Sequence, residues 1–191
     1  MNQKNLLEVD WSKIPAPTDD GAAAHLVGMT IPPVMLLATD DSSVTLSALA
    51  GRTVIFAYPR TGEPGKISLV DDWDMIPGAR GCTPQTCSFR DLFAELKAAG
   101  ARQVFGLSTQ SNAYQTEMAS RLHLPFAVLS DARLALTRAL SLPTMEVAGL
   151  TLIKRLALVI DNARITQVFY PVFPPDRNAA DVLAWLKQNR V

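Results

Sequence analysis

The residues best equipped for chemistry are two cysteines in Gly81-Cys82-Thr83-Pro84-Gln85-Thr86-Cys87, the only two in the chain. Thr is a good N-cap and Pro suits a first helical position, so Thr83-Pro84 predicts a helix with Cys82 one residue before its cap. Exposed N–H groups at such a helix mouth carry partial positive charge and favour a thiolate, and Arg80 adds to that field. A thiolate is a nucleophile. Attack on an O–O bond leaves a sulfenic acid, which a second thiol condenses into a disulfide.

Cys87 lies five residues further on. In one continuous helix such residues have Cα atoms about 8–9 Å apart on separated faces, whereas a disulfide needs less than about 7 Å. A Cys82–Cys87 bond therefore requires the first turn of the helix to unwind. Other readings stand beside this one. Free cysteines are often small buried hydrophobes. A structural zinc site wants four ligands, and His25 and His123 are distant in sequence and read as surface or packing residues; no metal and no cofactor is expected. The spacing also lacks the two-residue gap of simple disulfide-exchange motifs.

The elements that position the pair follow from periodicity. Thr53 to Tyr58 is β-branched and aromatic and predicts a buried central strand that Pro59 stops. A long loop, Arg60 to Gly81, follows with four glycines and two prolines; loops of that length are usually functional or mobile. Phe89, Leu92, Phe93 and Leu96 recur at helical spacing up to Gly100. Further strands are expected at 34–37, 44–46, 103–108 and 126–129, and helices at 112–122, 134–140 and 179–188. Residues 156–160 and 165–169 flank Asp161-Asn162 as a hairpin. The first thirty residues read as irregular, with Pro15, Pro17, Pro32 and Pro33 against regular structure. Strands alternating with helices, then a hairpin and a last helix, imply an α/β fold with a sheet covered on both faces.

Composition sets the bounds. With 191 residues, 48% hydrophobic and 19% charged, the chain can bury one sizeable core and is expected to form a single domain over 1–191. Eighteen basic residues balance eighteen acidic ones, so no strong field gathers nucleic acid or an anionic membrane. No apolar run reaches the ~18 residues of a spanning helix, and Met1 to Glu8 lacks the pattern of a secretory signal. A cytoplasmic protein is expected, and in a reducing compartment a close cysteine pair points to redox or metal chemistry.

The chain also resembles a known family. Gly81-Cys82-Thr83, followed by Cys87-Ser88-Phe89-Arg90-Asp91, is similar to the motif of peroxiredoxins of the bacterioferritin-comigratory, or Q-type, subfamily. Phe105 to Ser108, Leu124-Pro125-Phe126 and Leu129-Ser130-Asp131 resemble later segments of it, and Tyr58-Pro59 its end-of-strand pair. The resemblance runs from about Gly28 to the C-terminus and implies a thioredoxin-like fold, with residues 1–27 as an irregular N-terminal extension. It implies reduction of hydrogen peroxide or organic hydroperoxides. It makes Cys82 the attacking thiol, Cys87 the resolving thiol, Arg155 the active-site cation and Pro59 a site residue. Thioredoxin or glutaredoxin is the implied reductant, and a monomer suffices because both cysteines lie in one segment. The family usually carries Pro and then Thr or Ser seven and three residues before the attacking cysteine. Here Met75 and Ala79 stand there, and an insertion separates Pro59 from Cys82. Thr61 is one candidate to return the missing hydroxyl in space, a backbone group or a water is another, and the hydroxyl is assigned to no residue.

Three functions stay open at this level: a two-cysteine peroxidase, a thiol–disulfide oxidoreductase, and a redox sensor without turnover. The inserted loop has two readings as well. Trp73, Met75 and Ile76 either cover the cysteine pocket and favour bulkier hydroperoxides, or pack on the surface. Val172 to Pro175 either lines the pocket or makes a stiff turn into the last helix.

Overall fold

A computed structural model describes residues 9–190. The stretch Met1–Glu8, and with it the start of the expected irregular extension, lies outside the described residues. Strand β3 (Arg52–Ala57) is buried along its whole length, as its run of β-branched and aromatic residues requires. It is flanked on one side by parallel β4 (Gln103–Ser108) and on the other by antiparallel β8 (Leu156–Asp161). Beyond β4 lies parallel β5 (Val128–Ser130), then antiparallel β1 (Met35–Ala38) and β2 (Ser43–Thr45); beyond β8 lies β9 (Arg164–Phe169). The result is a seven-stranded mixed sheet in the order β2-β1-β5-β4-β3-β8-β9.

Alternation along the strands sends successive side chains to opposite faces, and two apolar layers result. Val54, Phe56 and Tyr58 point one way, to Phe89 and Leu96 near the middle of the chain and to Val182 and Leu186 of the closing helix. Ile55 and Ala57 point the other way, to Leu136 and Leu140 and to Leu26 and Ile31 of the N-terminal region. The helices of the first layer are α1 (Cys82–Asp91), α2 (Phe93–Ala98), α3 (Asn112–Arg121) and α5 (Asn178–Gln188); the second carries α4 (Ala135–Leu140). Buried Asp131 opens α4 by accepting from the backbone N–H groups of Leu136 and Thr137 at 3.2 and 2.7 Å, which satisfies donors that a helix start leaves orphaned.

Helix α1 packs over β3 partly through an aromatic pair. The rings of Phe89 and Phe56 stack at 4.1 Å between centroids and 7° between planes. Offset aromatic stacking is worth about 0.5–1.5 kcal/mol beyond the area it buries. That contact ties α1 to β3, the strand whose end leads towards the Cys82 cavity.

Several expectations need correction in detail. Helix α1 begins at Cys82 itself and its N-cap is Gly81, so Thr83 and Pro84 lie inside the first turn. The periodic run to Leu96 is two helices, not one. Leu92, at φ −99° and ψ 12°, breaks it, although Leu92 N–H still donates to Ser88 and Leu96 N–H to Leu92. A separate hairpin, β6 (Thr144–Val147) and β7 (Leu150–Ile153), was not expected. It turns through Ala148 and Gly149, both at positive φ.

Candidate active site

Cys82 is the first residue of α1 and is 3% exposed. Its backbone entry depends on Gly81, which sits at φ 103°. A Cβ there would stand 2.6 Å from Pro175 Cγ and 2.7 Å from the Trp11 ring, so both the left-handed geometry and the close cover demand glycine. Trp11 Nε1 donates to Asp176 at 3.0 Å and its ring meets Phe173 edge-on. The turn from Val172 to Pro175, expected either to line the pocket or to stiffen the entry to the last helix, thus covers the start of α1 together with Trp11 and Asp176.

Arg155 lies in the corner between β7 and β8 and is 2% exposed; its neighbour Lys154 turns outward to pair with Asp20 at 2.6 Å. The Arg155 Nη2 group lies 3.3 Å from Cys82 Sγ and 3.2, 3.2 and 3.0 Å from the carbonyls of Gly78, Ala79 and Arg80. Its two N–H bonds are shared among these four acceptors, a fixed fork that a planar guanidinium supplies and an ammonium does not. The Cys82 thiol in turn has the Ala79 carbonyl within 3.5 Å.

Gln85, wholly buried one turn into α1, completes the frame. Its Oε1 accepts from Arg155 Nη1, and its Nε2 donates to Asn178 Oδ1 at 2.9 Å. Sequence reading missed this residue and Asn178. The available signal was position: Gln85 is three residues from Cys82, hence on the same helical face.

Pro59 is buried at the end of β3, and its carbonyl accepts from Ser108 Oγ at 3.3 Å. It delivers Arg60 and Thr61 to the cavity that contains Cys82, which Trp73 and Arg80 also line. Thr61 is 1% exposed; its N–H and hydroxyl both donate to Gln110 Oε1, at 2.9 and 3.1 Å. Ala79, three residues before Cys82, is buried in a small cluster with Trp73, Val147 and Leu152. Of the loop's apolar residues, Trp73 reaches the cysteine cavity, Met75 is exposed and Ile76 packs on that cluster. Arg80 pairs with Asp74 at 3.4 Å. The histidines are elsewhere: His25 meets the Leu140 carbonyl.

Cys87 lies in the same helix as Cys82, 6% exposed, and both are free thiols. Burial pushes the Cys87 thiol above its ordinary pKa, against a smaller opposing pull from Arg90. The turn between the two is held by Gln85 N–H to Gly81 at 3.0 Å and Thr86 Oγ1 to the Cys82 carbonyl at 2.9 Å.

The chain as a whole is similar to known proteins. A family model described as Redoxin covers residues 26–183. A chloroplastic peroxiredoxin Q of Sedum lineare is 30% identical over 162 residues, 84% of this chain and 77% of the relative. One from Oryza sativa subsp. japonica is also 30% identical, with 66% of its length covered. Among solved structures, peroxidoxin BcpB from Mycobacterium tuberculosis superposes with a TM-score of 0.69 at 26% identity, over 86% of this chain and 98% of that one. Peroxiredoxin Q of Xanthomonas campestris does so with 0.65 at 25% identity, over 82% and 90%. The fold is thioredoxin-like, and the chain belongs to the redoxin family as a Q-type peroxiredoxin, a thiol peroxidase.

Proposed function

We propose that Cys82 is the attacking thiol and Cys87 the resolving thiol of an intramolecular cycle. The observation that carries this is the 3.3 Å contact between Arg155 and Cys82 Sγ at a helix start. The Cys82 thiolate attacks the distal peroxide oxygen. The O–O bond breaks, sulfur is oxidised to sulfenic acid, and the alkoxide or hydroxide leaves and takes up a proton. Arg155 faces both the sulfur and the charge that develops on the oxygens, as a preorganised cation should. Pro59 sets the chain direction that brings Thr61 to the cavity, and Thr61 is the hydroxyl that accepts from the peroxide O–H in place of the residue absent at Ala79.

The Cys87 thiolate then attacks the sulfenic sulfur; the S–S bond forms and hydroxide leaves as water. With both cysteines in one helix, closure requires the first turn to unwind, and one chain is sufficient, which supports a working monomer. A dithiol of the thioredoxin or glutaredoxin type restores the pair by exchange. A cycle that must be re-reduced suits the cytoplasm.

The test is peroxide turnover by the reduced protein with thioredoxin and its reductase. Many equivalents of peroxide are consumed by the native chain and none by Cys82→Ser. Consumption that stops at one equivalent would reduce the protein to a sensor, and full activity in Cys82→Ser would refute the assignment.

A further inference from the structure

The inserted stretch between Pro59 and Cys82 builds a groove that runs on from the cysteine cavity. Arg60, Thr61, Gly62, Trp73 and Arg80 line both. Further out, Lys66, Ile67 and Leu69 continue the wall. The groove is therefore apolar along Trp73 and Leu69 and cationic at its sides. Three basic side chains line it, Arg60, Lys66 and Arg80, against one acid, Glu63.

These cations are not equally occupied. Lys66 pairs with Glu63 and Arg80 with Asp74. Arg60 instead lies over the Tyr114 ring, 5.1 Å from its centroid. That contact orients the guanidinium without neutralising it, and Arg60 makes no ion pair among the described residues. Arg60 is also one of the residues that reach the cysteine cavity. A ligand whose reacting end is at Cys82 has an apolar path along Trp73 and Leu69 and an unneutralised guanidinium beside it. At the far end, Ile67 is 96% exposed, so the wall extends into solvent and does not close the groove to length.

Building on the peroxidase reading, we infer that this groove is a substrate subsite for amphiphilic anionic hydroperoxides, with Arg60 holding the carboxylate. The inserted loop is then a specificity device: Trp73 and Leu69 take the hydrocarbon, and Arg60 selects for charge. The chemistry at sulfur is that given above; the subsite changes only which hydroperoxide is delivered.

The experiment measures kcat/KM, with thioredoxin recycling, for omega-hydroperoxyoctanoate, its methyl ester and hydrogen peroxide. The expected result is a preference of about fivefold or more for the acid over the ester at low salt, as one charge-assisted contact at a partly exposed site provides. The preference shrinks as ionic strength rises and falls towards one in Arg60→Gln. An acid-to-ester ratio at or below one in the native chain overturns the subsite, and so does a ratio that Arg60→Gln leaves unchanged; in either case hydrogen peroxide is still reduced and the peroxidase reading stands. Failure to reduce hydrogen peroxide as well overturns that reading and the subsite with it. The native ratio and its salt dependence decide the matter even if the variant does not fold.

Discussion

Arg155 Nη2 lies 3.3 Å from Cys82 Sγ while the same group is claimed by the carbonyls of Gly78, Ala79 and Arg80. The chain immediately before the cysteine is thereby wrapped around the cation beside it. Arg155→Lys keeps the charge and loses the planar fork. The rate constant for peroxide reduction is expected to fall by about 10²–10³-fold, the usual cost of removing one preorganised donor. Stopped-flow peroxide consumption measures it, and a rate within about threefold of native would show that the fork is dispensable.

Gln85 holds that fork from the other side. Gln85→Leu leaves a buried Arg155 N–H and the Asn178 side chain without their partner, at a cost of about 1–3 kcal/mol in stability. Because Arg155 is then free to shift, peroxide kcat/KM is expected to fall by about ten- to a hundredfold. Gln85→Glu retains the acceptor for Arg155 and recovers most of the rate. Equal losses in both variants would mark Gln85 as a packing residue and not a positioning one.

Thr61 offers a sharper separation of stability from catalysis. In Thr61→Val the backbone N–H still donates to Gln110 Oε1, so the urea midpoint is expected to move little. Peroxide reduction should slow by about tenfold or more if the hydroxyl contacts the peroxide. A native rate in this variant would remove Thr61 from the site.

Much of this frame is legible in the sequence, and its failures have physical causes. Runs with strong periodicity, such as 103–108 and 179–188, need no tertiary information. The cap of α1 is different. Thr83-Pro84 is a good local signal, yet Gly81 caps the helix because Trp11 and Pro175, from opposite ends of the chain, lie where any Cβ at that position would be. Arg155 carries no local signal either; beside Lys154 it looks like surface charge, and only the resemblance singled it out. Gln85 and Asn178 look like ordinary helix residues until the 2.9 Å bond between them is seen. The β6–β7 hairpin hides because its turn, Ala148-Gly149, is a weak signal.

Closure of the proposed Cys82–Cys87 disulfide should depend on pH in a defined direction. Burial raises the Cys87 pKa in folded α1, whereas an unwound turn returns the thiol to its ordinary value near 8.5. A raised folded value stabilises the folded turn fully below that ordinary value, and the stabilisation is lost as pH climbs through the folded value. Unwinding and the thiolate that attacks are both favoured by rising pH, so closure should accelerate through about pH 8.5 and above. Quenched-flow trapping of the sulfenic acid follows it; a closure rate that is flat or falls over that range would contradict the coupling.

The most direct test of the central claim is mass spectrometry of the reduced chain after one equivalent of hydrogen peroxide, digested under non-reducing conditions. The expected product is a peptide in which Cys82 and Cys87 are joined within a single chain, and in Cys87→Ser a Cys82 that stops as sulfenic acid and goes on to sulfinic acid only when a second equivalent is added. Recovery of both cysteines as free thiols, or of Cys87 oxidised while Cys82 is untouched, would contradict it.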